Sequence, residues 1–471
     1  MNKHVAKAYD HKTGFVVYPD AKPGDPGAKA DYVDLGGEPV NPLRYYSKEE
    51  ADLEWEGMWT KTWQFAGLTH DLAEIGDYFM IEIGSESIVV VRTGNGDEEV
   101  RAYFNVCPHR GNRVVHQRFG SLGERGCFQC DFHGWKFDRD GRNIEIKDEM
   151  IFRPETIAHR PGLKNVRCGV WNSLVFISMA PDGISLDEHL NVMREHMDVF
   201  PLDRFRVIGD FETQWDANWK TALDAFIEFY HADEVHPEVI PFSATHETQY
   251  DLYDHGLSRM IIPYGFVSGR HEDMDTVNPF LKMYVQFFGG NPDDYPDVKG
   301  HEYWKALADT KRKWAARHGY TDFFDQLDDR RVTDDWNYFV FPNITINYFA
   351  EALLIQIFRP HPTDPEKSFY RAISLNLPVP GTQECVVDIA SIGPSATSTP
   401  GWDGSERPEV RSPQCLEDFG AVLAQDAMRV PLVQKGIRSR AFDGILLGDS
   451  EIRIRHYHAE IDKYLGRQAG R

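Results

Sequence analysis

The chain has 471 residues, 41% hydrophobic and 13% aromatic, which is enough apolar material for one to three domains with real cores. Its formal charge of −23 argues against nucleic acid as a partner, because phosphate binding needs a basic surface. Met-Asn-Lys-His-Val-Ala-Lys-Ala-Tyr-Asp10 carries no apolar signal core and no apolar run reaches membrane-spanning length, so a cytoplasmic protein outside any membrane is expected.

Residues 1 to about 45 are rich in Gly, Pro and Asp and read as an irregular arm. Ser47-Lys-Glu-Glu50 has capping-box spacing, and a helix is predicted from there through the aromatic series to Trp63. From about residue 76 the period becomes that of strands. Tyr78-Phe-Met-Ile-Glu-Ile, Ser87-Ile-Val-Val-Val-Arg and Val100-Arg-Ala-Tyr-Phe are β-rich, with hairpin chemistry at Thr93-Gly-Asn-Gly-Asp97. Strand character returns over Val170 to Ser178, so a small all-β module is predicted over 56–180.

An α+β region follows over 181–471. Asn218 to Tyr230 has helical spacing; Phe339 to Phe349, Leu353 to Phe358 and Tyr370 to Leu377 read as strands. Gly393 to Gly404 reads as a loop, and Glu417 to Lys435 as a helix. The arm and first helix, 1–55, are expected to pack with this region.

Chemistry enters with cysteine. Of six, at 107, 127, 130, 168, 385 and 415, three lie within 24 residues beside histidines; a disulfide framework would not be spaced this way. Cys107-Pro-His109 is followed after twenty residues by Cys130-Asp-Phe-His133-Gly-Trp-Lys-Phe. Each loop offers one thiolate and one imidazole. A 2Fe–2S cluster of the Rieske kind holds one iron by two Cys and the other by two His. A structural zinc site is the rival, but its modules usually pair Cys with Cys and His with His.

Farther on stands Asn218-Trp-Lys-Thr-Ala-Leu-Asp224-Ala-Phe-Ile-Glu228-Phe-Tyr-His231-Ala-Asp-Glu-Val-His236-Pro. Asp224, Glu228 and His231 would share a helix face, with His236 just past the helix end at Pro237. Two histidines so placed can take adjacent positions on an octahedral ion, and non-haem Fe(II) oxygenases use two His and one carboxylate on one face.

These two segments together resemble the Rieske non-haem iron ring-hydroxylating oxygenases, large (alpha) subunit. The match rests on Cys107-Pro-His109-Arg-Gly, on Cys130-Asp-Phe-His133-Gly-Trp-Lys-Phe, and on Asn-Trp-Lys leading to Tyr-His231 and His236. The resemblance implies a Rieske domain over 56–180 and a catalytic domain over 181–471, with an antiparallel sheet flanked by helices in the helix-grip manner. It implies Cys107, His109, Cys130 and His133 as cluster ligands, and His231, His236 and a downstream carboxylate as ligands of a mononuclear Fe(II). Asp426, eight residues before Gln434, fits the family's C-terminal pattern; Asp418 is its rival. Glu228 matches the carboxylate that bridges the iron-ligand histidine and a cluster histidine of a neighbouring subunit. That bridge implies a homotrimer, with or without small β subunits.

The departures matter too. The family's interval between the two loops is a few residues shorter, which would suit Cys127, but only Cys130 keeps the Cys-x2-His loop; Cys127 is then a buried, inert thiol. Asp224-Ala225 replaces the commoner Glu-Asn. Electrons are expected from NAD(P)H through a separate flavin reductase, with or without a ferredoxin, since no nucleotide-binding Gly-rich turn occurs here. Arg110, Arg113, Lys136 and Arg139 flank the cluster loops as a candidate docking patch, or as ordinary surface charges.

The activity implied is O2 activation with cis-dihydroxylation of an aromatic or other apolar cyclic substrate; monohydroxylation or oxidative demethylation is the alternative, and a zinc-binding non-enzyme the remote one. Phe226, Phe229, Phe339, Phe341 and Phe349 are candidates for lining the substrate pocket.

Overall fold

The computed structural model describes residues 10–267, 273–388, 393–394 and 400–467. Of the predicted Gly393–Gly404 loop, residues 395–399 lie outside the described residues, as do residues 1–9 of the arm. The chain divides into two compact units, Glu54–His189 and Met1–Leu53 together with Leu190–Arg471. Among the described residues no helix is long and apolar enough to cross a membrane.

The smaller unit is all-β. Its strands are β1 (Gln64–Leu68), β2 (Asp77–Ile83), β3 (Glu86–Arg92), β4 (Val100–Phe104), β5 (Phe119–Ser121), β6 (Phe128–Gln129), β7 (Lys136–Phe137), β8 (Asn143–Glu145), β9 (Asn165–Trp171) and β10 (Leu174–Ser178). Seven of them form one sheet in the order β1-β10-β9-β4-β3-β2-β5, and β6-β7-β8 form a second. The single strand expected over Val170–Ser178 is instead a hairpin. Asn172 and Ser173 both take positive φ, 46° and 65°, which is the backbone a two-residue primed turn demands. Val89, Val91, Tyr103, Phe128, Trp135 and Phe137 close one core around Cys107 and Cys130.

The larger unit is built on a seven-stranded antiparallel sheet in the order β11-β17-β16-β15-β14-β13-β12. Its strands are β11 (Arg206–Trp215), β12 (Gln249–Leu252), β13 (Ser258–Ile262), β14 (Asp335–Val340), β15 (Ile344–Tyr348), β16 (Ala352–Pro360) and β17 (Ser368–Asn376). The run Phe339 to Phe349, expected as one strand, is thus the end of β14, a turn at Phe341–Asn343 and all of β15. Directly paired residues share a sheet face. The pairs Ile262↔Asp335, Met260↔Asn337, Asn337↔Asn347 and Asn347↔Leu354 therefore lay a mixed polar and apolar floor across four strands.

Two longer helices escaped the sequence reading. Trp304–His318 is polar overall and ends at Gly319 in the left-handed conformation, φ 79°. Ile452–Tyr464 opens Ile-Arg-Ile-Arg, an alternation that mimics a strand, yet as a helix it buries Arg453, Arg455, His456 and His458 along with its apolar residues. Arg453 is fully buried and donates to Asn337 Oδ1 at 2.9 Å and Ser258 Oγ at 3.0 Å, which pins this helix to the sheet.

The helix expected over Asn218–Tyr230 breaks early. It runs Trp219–Asp224, and a separate turn of helix occupies Ala232–Val235. The break has a local cause: the Glu228 carboxylate accepts from the backbone N–H groups of Tyr230 and His231, giving the chain an alternative to the helical ladder. The expected C-terminal helix also starts later, with Leu416–Phe419 as a 3-10 turn, Gly420 at φ 80°, and the α-helix at Ala421–Ile437.

Candidate metal centres

In the smaller unit the two Cys/His loops are built alike. Gly111 N–H donates to Cys107 O at 3.0 Å, and Gly134 N–H donates to Cys130 O at 2.9 Å. Both glycines have positive φ, 80° and 75°, a backbone glycine reaches without strain, so each loop turns tightly and returns its histidine beside its cysteine. Both thiols are buried in the core, and burial first, then the adjacent Cys130, pushes Cys107 up to about 11. The His109 and His133 rings stand 4.4 Å apart, and His109 stacks on Trp135 at 4.8 Å with 7° between planes.

The site is polarised: cysteines inward, half-exposed histidines outward. His109 Nδ1 is buried and has no hydrogen-bond partner among the described residues, which is the mark of a nitrogen reserved for a ligand bond. Two thiols on the core side and two imidazoles on the solvent side fit a 2Fe–2S cluster of the mixed Cys/His kind. Cys127 is half-buried rather than buried, a correction to the expected position. Of the four flanking cations, Arg113 pairs with Glu82 at 2.8 Å and Lys136 with Glu145 at 2.6 Å, so half of the candidate basic patch is already countered.

In the larger unit His231, His236 and Asp426 converge, with one donor atom from each within 4.8 Å of the others. His231 Nε2 and His236 Nε2 are 3.3 Å apart, and Asp426 Oδ1 lies 3.6 Å and 3.3 Å from them. Ligand bonds of about 2.0–2.2 Å at right angles put neighbouring donors about 3 Å apart, so this triangle fits one face of an octahedral ion. Asp418 is exposed and instead accepts from the backbone N–H groups of Gln414 and Cys415, at 2.8 Å and 3.2 Å.

Each imidazole is oriented from behind. Glu228 Oε1 accepts from His231 Nδ1, and Gln425 Oε1 stands 2.5 Å from His236 Nδ1. In the metal-binding form both histidines would therefore keep a proton on Nδ1 and offer the Nε2 lone pair to the shared point. Burial opposes protonation of His231, but the Glu228 charge and hydrogen bond, then Asp426, outweigh it and raise the imidazole to about 9, so a metal entering here displaces a proton.

Sequence reasoning gave no role to two residues that position this site. Gln425 is one; its only signal was adjacency to Asp426. Gln434 is the other: its Oε1 accepts from Asn218 N–H at 3.0 Å and Thr221 Oγ1–H at 2.6 Å, while its Nε2 donates to Tyr45 O at 3.0 Å. It ties the helix bearing Asp426 to the Asn218 helix that leads to the histidines.

A cavity of about 110 Å³ opens beside the triad. Phe226, Phe229, Tyr264, Tyr284 and Phe349 form aromatic walls, and Asp335, Asn337, Asn347 and Gln356 supply polar groups from the sheet. Phe339 and Phe341 do not line it. They are 0% and 1% exposed and pack against Tyr457 and Tyr464 of the last helix, so these two pocket candidates belong to the core.

Comparison with known proteins adds family information. The model of the ring hydroxylating alpha subunit catalytic domain matches residues 202–467, and that of the Rieske [2Fe-2S] domain matches residues 62–151. The glycine betaine monooxygenase oxygenase subunit of Chromohalobacter salexigens is 29% identical over 40% of this chain and 41% of its own length. The carnitine monooxygenase oxygenase subunit of Escherichia coli K12 is 31% identical over 48% of this chain and 58% of its own. The 2-halobenzoate 1,2-dioxygenase large subunit of Burkholderia cepacia is 27% identical over 39% and 40%. The chain thus spans about half the length of the curated relatives it matches. The solved structure of a quaternary ammonium Rieske monooxygenase shares the fold at a TM-score of 0.62 and 16% identity, covering 90% of this chain and 95% of that one.

Proposed function

Because this chain belongs to the ring-hydroxylating oxygenase alpha subunits, with a Rieske 2Fe–2S cluster and a mononuclear iron as its cofactors, we propose that it is a terminal oxygenase of the monooxygenase kind. In this reading it inserts one atom of O2 into a small, partly polar substrate. The observation that carries it is the cavity beside His231, His236 and Asp426: aromatic walls over a floor of Asp335, Asn337, Asn347 and Gln356. A plain arene would leave that floor's hydrogen-bonding groups buried against carbon, at a cost in binding. The glycine betaine and carnitine relatives support the same choice, ahead of the cis-dihydroxylation expected from sequence.

Iron at the triad supplies one-electron chemistry and open positions for O2. The chain's own residues supply order. Glu228 and Gln425 fix the two imidazoles, Asp426 adds the negative charge, and the aromatic walls exclude water from the reacting face. His109 and His133 would hold the cluster from its solvent-facing side, with Cys107 and Cys130 on the core side. The donor in this proposal is a separate NAD(P)H-dependent reductase, with or without a ferredoxin. Glu228, behind His231, would then be this chain's contact toward the cluster-bearing loops of a neighbouring subunit, in a trimeric assembly.

The test is turnover under 18O2. One labelled oxygen atom per product molecule supports the monooxygenase reading; two, in a cis-diol, would replace it with dihydroxylation, which the 2-halobenzoate relative favours.

A further inference from the structure

We propose that Asp335 is the substrate anchor of this cavity, and that it selects a molecule carrying a positively charged nitrogen with an N–H to donate, such as a protonated tertiary amine. The proposal rests on the oxygenase reading above only in taking the cavity beside the triad as the substrate's place.

Asp335 opens β14 and pairs with Ile262, so its side chain belongs to the sheet floor, and it lines the cavity at 3% exposure. One oxygen, Oδ2, accepts from Asn347 Nδ2–H at 2.7 Å. The other, Oδ1, is buried with no hydrogen-bond partner among the described residues. A buried carboxylate oxygen without a donor is costly and uncommon, so its partner is expected from outside the chain.

The surrounding bonds form a relay. Tyr370 O–H donates to Gln356 Oε1 at 2.7 Å, Gln356 Nε2–H donates to Asn347 Oδ1 at 3.3 Å, and Asn347 donates to Asp335. Gln356 Nε2 also donates to Thr345 Oγ1 at 3.2 Å, but the Asn347 bond it supports ends on Asp335 Oδ2 and leaves Oδ1 without a donor. Burial, the largest influence, pushes this carboxyl up to about 7; the Asp334 charge adds to the rise, while the Asn347 hydrogen bond and the buried Arg453 charge only moderate it. A cation placed directly on Oδ1 would relieve the remaining pressure.

The walls agree with the floor. Phe229, Tyr264, Tyr284 and Phe349 present rings whose faces attract alkylammonium groups as well as arenes. Aromatic walls alone do not separate the two ligand classes. The unpartnered carboxylate does, because an arene gives it neither charge nor proton. A quaternary ammonium gives the charge but no N–H, and a protonated amine gives both.

Binding to the iron- and cluster-loaded enzyme, without reductant or O2, tests this by calorimetry. The probes are N,N-dimethylbutylammonium, N,N,N-trimethylbutylammonium and the neutral N,N-dimethylbutyramide. The expected order of affinity is the order given, with at least a tenfold gap between first and last. Asp335→Asn should shrink that gap to within threefold while the cluster's visible spectrum stays unchanged. Equal binding of ammonium and amide by the natural protein, a gap that survives Asp335→Asn, or no binding of any probe would overturn the anchor. Tighter binding of the quaternary probe than the tertiary one would overturn the N–H requirement. The natural protein's ranking decides the matter even if the variant fails to fold. No turnover is involved, so this result and the count of inserted oxygen atoms can fail separately.

Discussion

Gln425 Oε1 stands 2.5 Å from His236 Nδ1, one position before Asp426 on the same helix. One helical turn thus carries both a metal ligand and the group that aims a second ligand. Removing such an outer partner typically costs 10–100-fold in metal affinity. Gln425→Ala should weaken iron binding at the triad by about that factor, read by titrating the metal-free site with Fe(II), while the cluster keeps its absorbance. Unchanged affinity would mean that His236 is held by packing alone.

Glu228 combines two duties, accepting from His231 Nδ1 and from two backbone N–H groups. Glu228→Gln keeps the shape and removes the charge. Both metal centres should remain loaded, while product formation in a single turnover from the pre-reduced cluster slows more than tenfold, on the order of a lost charged hydrogen bond. Normal single-turnover rates would remove Glu228 from the electron path.

Neighbouring candidates separate by substitution. Cys130→Ser should abolish the red-brown colour and labile sulfide, whereas Cys127→Ser should leave both, since Cys127 sits half-buried outside the two matched loops. Likewise Asp426→Ala should lose the iron that is not bound to sulfide, and Asp418→Ala should retain it. Iron and sulfide analysis reads all four proteins, and the opposite pattern in either pair would exchange the assignments.

Asp224 is half-buried, its carboxylate set between Tyr457, whose O–H donates at 2.6 Å, and Tyr45, whose O–H donates at 2.9 Å. Burial dominates and raises its carboxyl from 3.8 to about 7; the two tyrosines and Lys220 pull the other way and only moderate the rise. Between those values the folded protein holds a proton that the unfolded chain has released. The stability contribution of this group therefore falls as pH rises through that window. Thermal melting of Asp224→Asn should show a smaller loss of Tm from pH 5 to pH 7 than the natural protein. Parallel pH profiles would show that Asp224 does not take up this proton.

The sequence by itself determined what depends on neighbours along the chain. Cys107-x-His109 and Cys130-x2-His133 each lie on one tight loop, so spacing alone brings thiolate and imidazole together. His231 and His236 flank a single turn of helix for the same reason. Glu228 was legible because it acts three residues away. Asp426 could be read from its interval to Gln434, but its meeting with the histidines needs the folded chain.

Tertiary structure decided the rest, because those relationships cross long separations. Gln434 reaches Asn218 over 216 residues, and Gln425 reaches His236 over 189. The cavity floor exists only when β13, β14, β15 and β16 fall into register and set Ile262, Asp335, Asn337, Asn347 and Leu354 side by side. Phe339 lies in β14 and Phe349 one residue past the end of β15, yet one meets the last helix and the other the cavity. Hydrophobicity told which residues leave water; only pairing register and helix placement told which of them face the substrate.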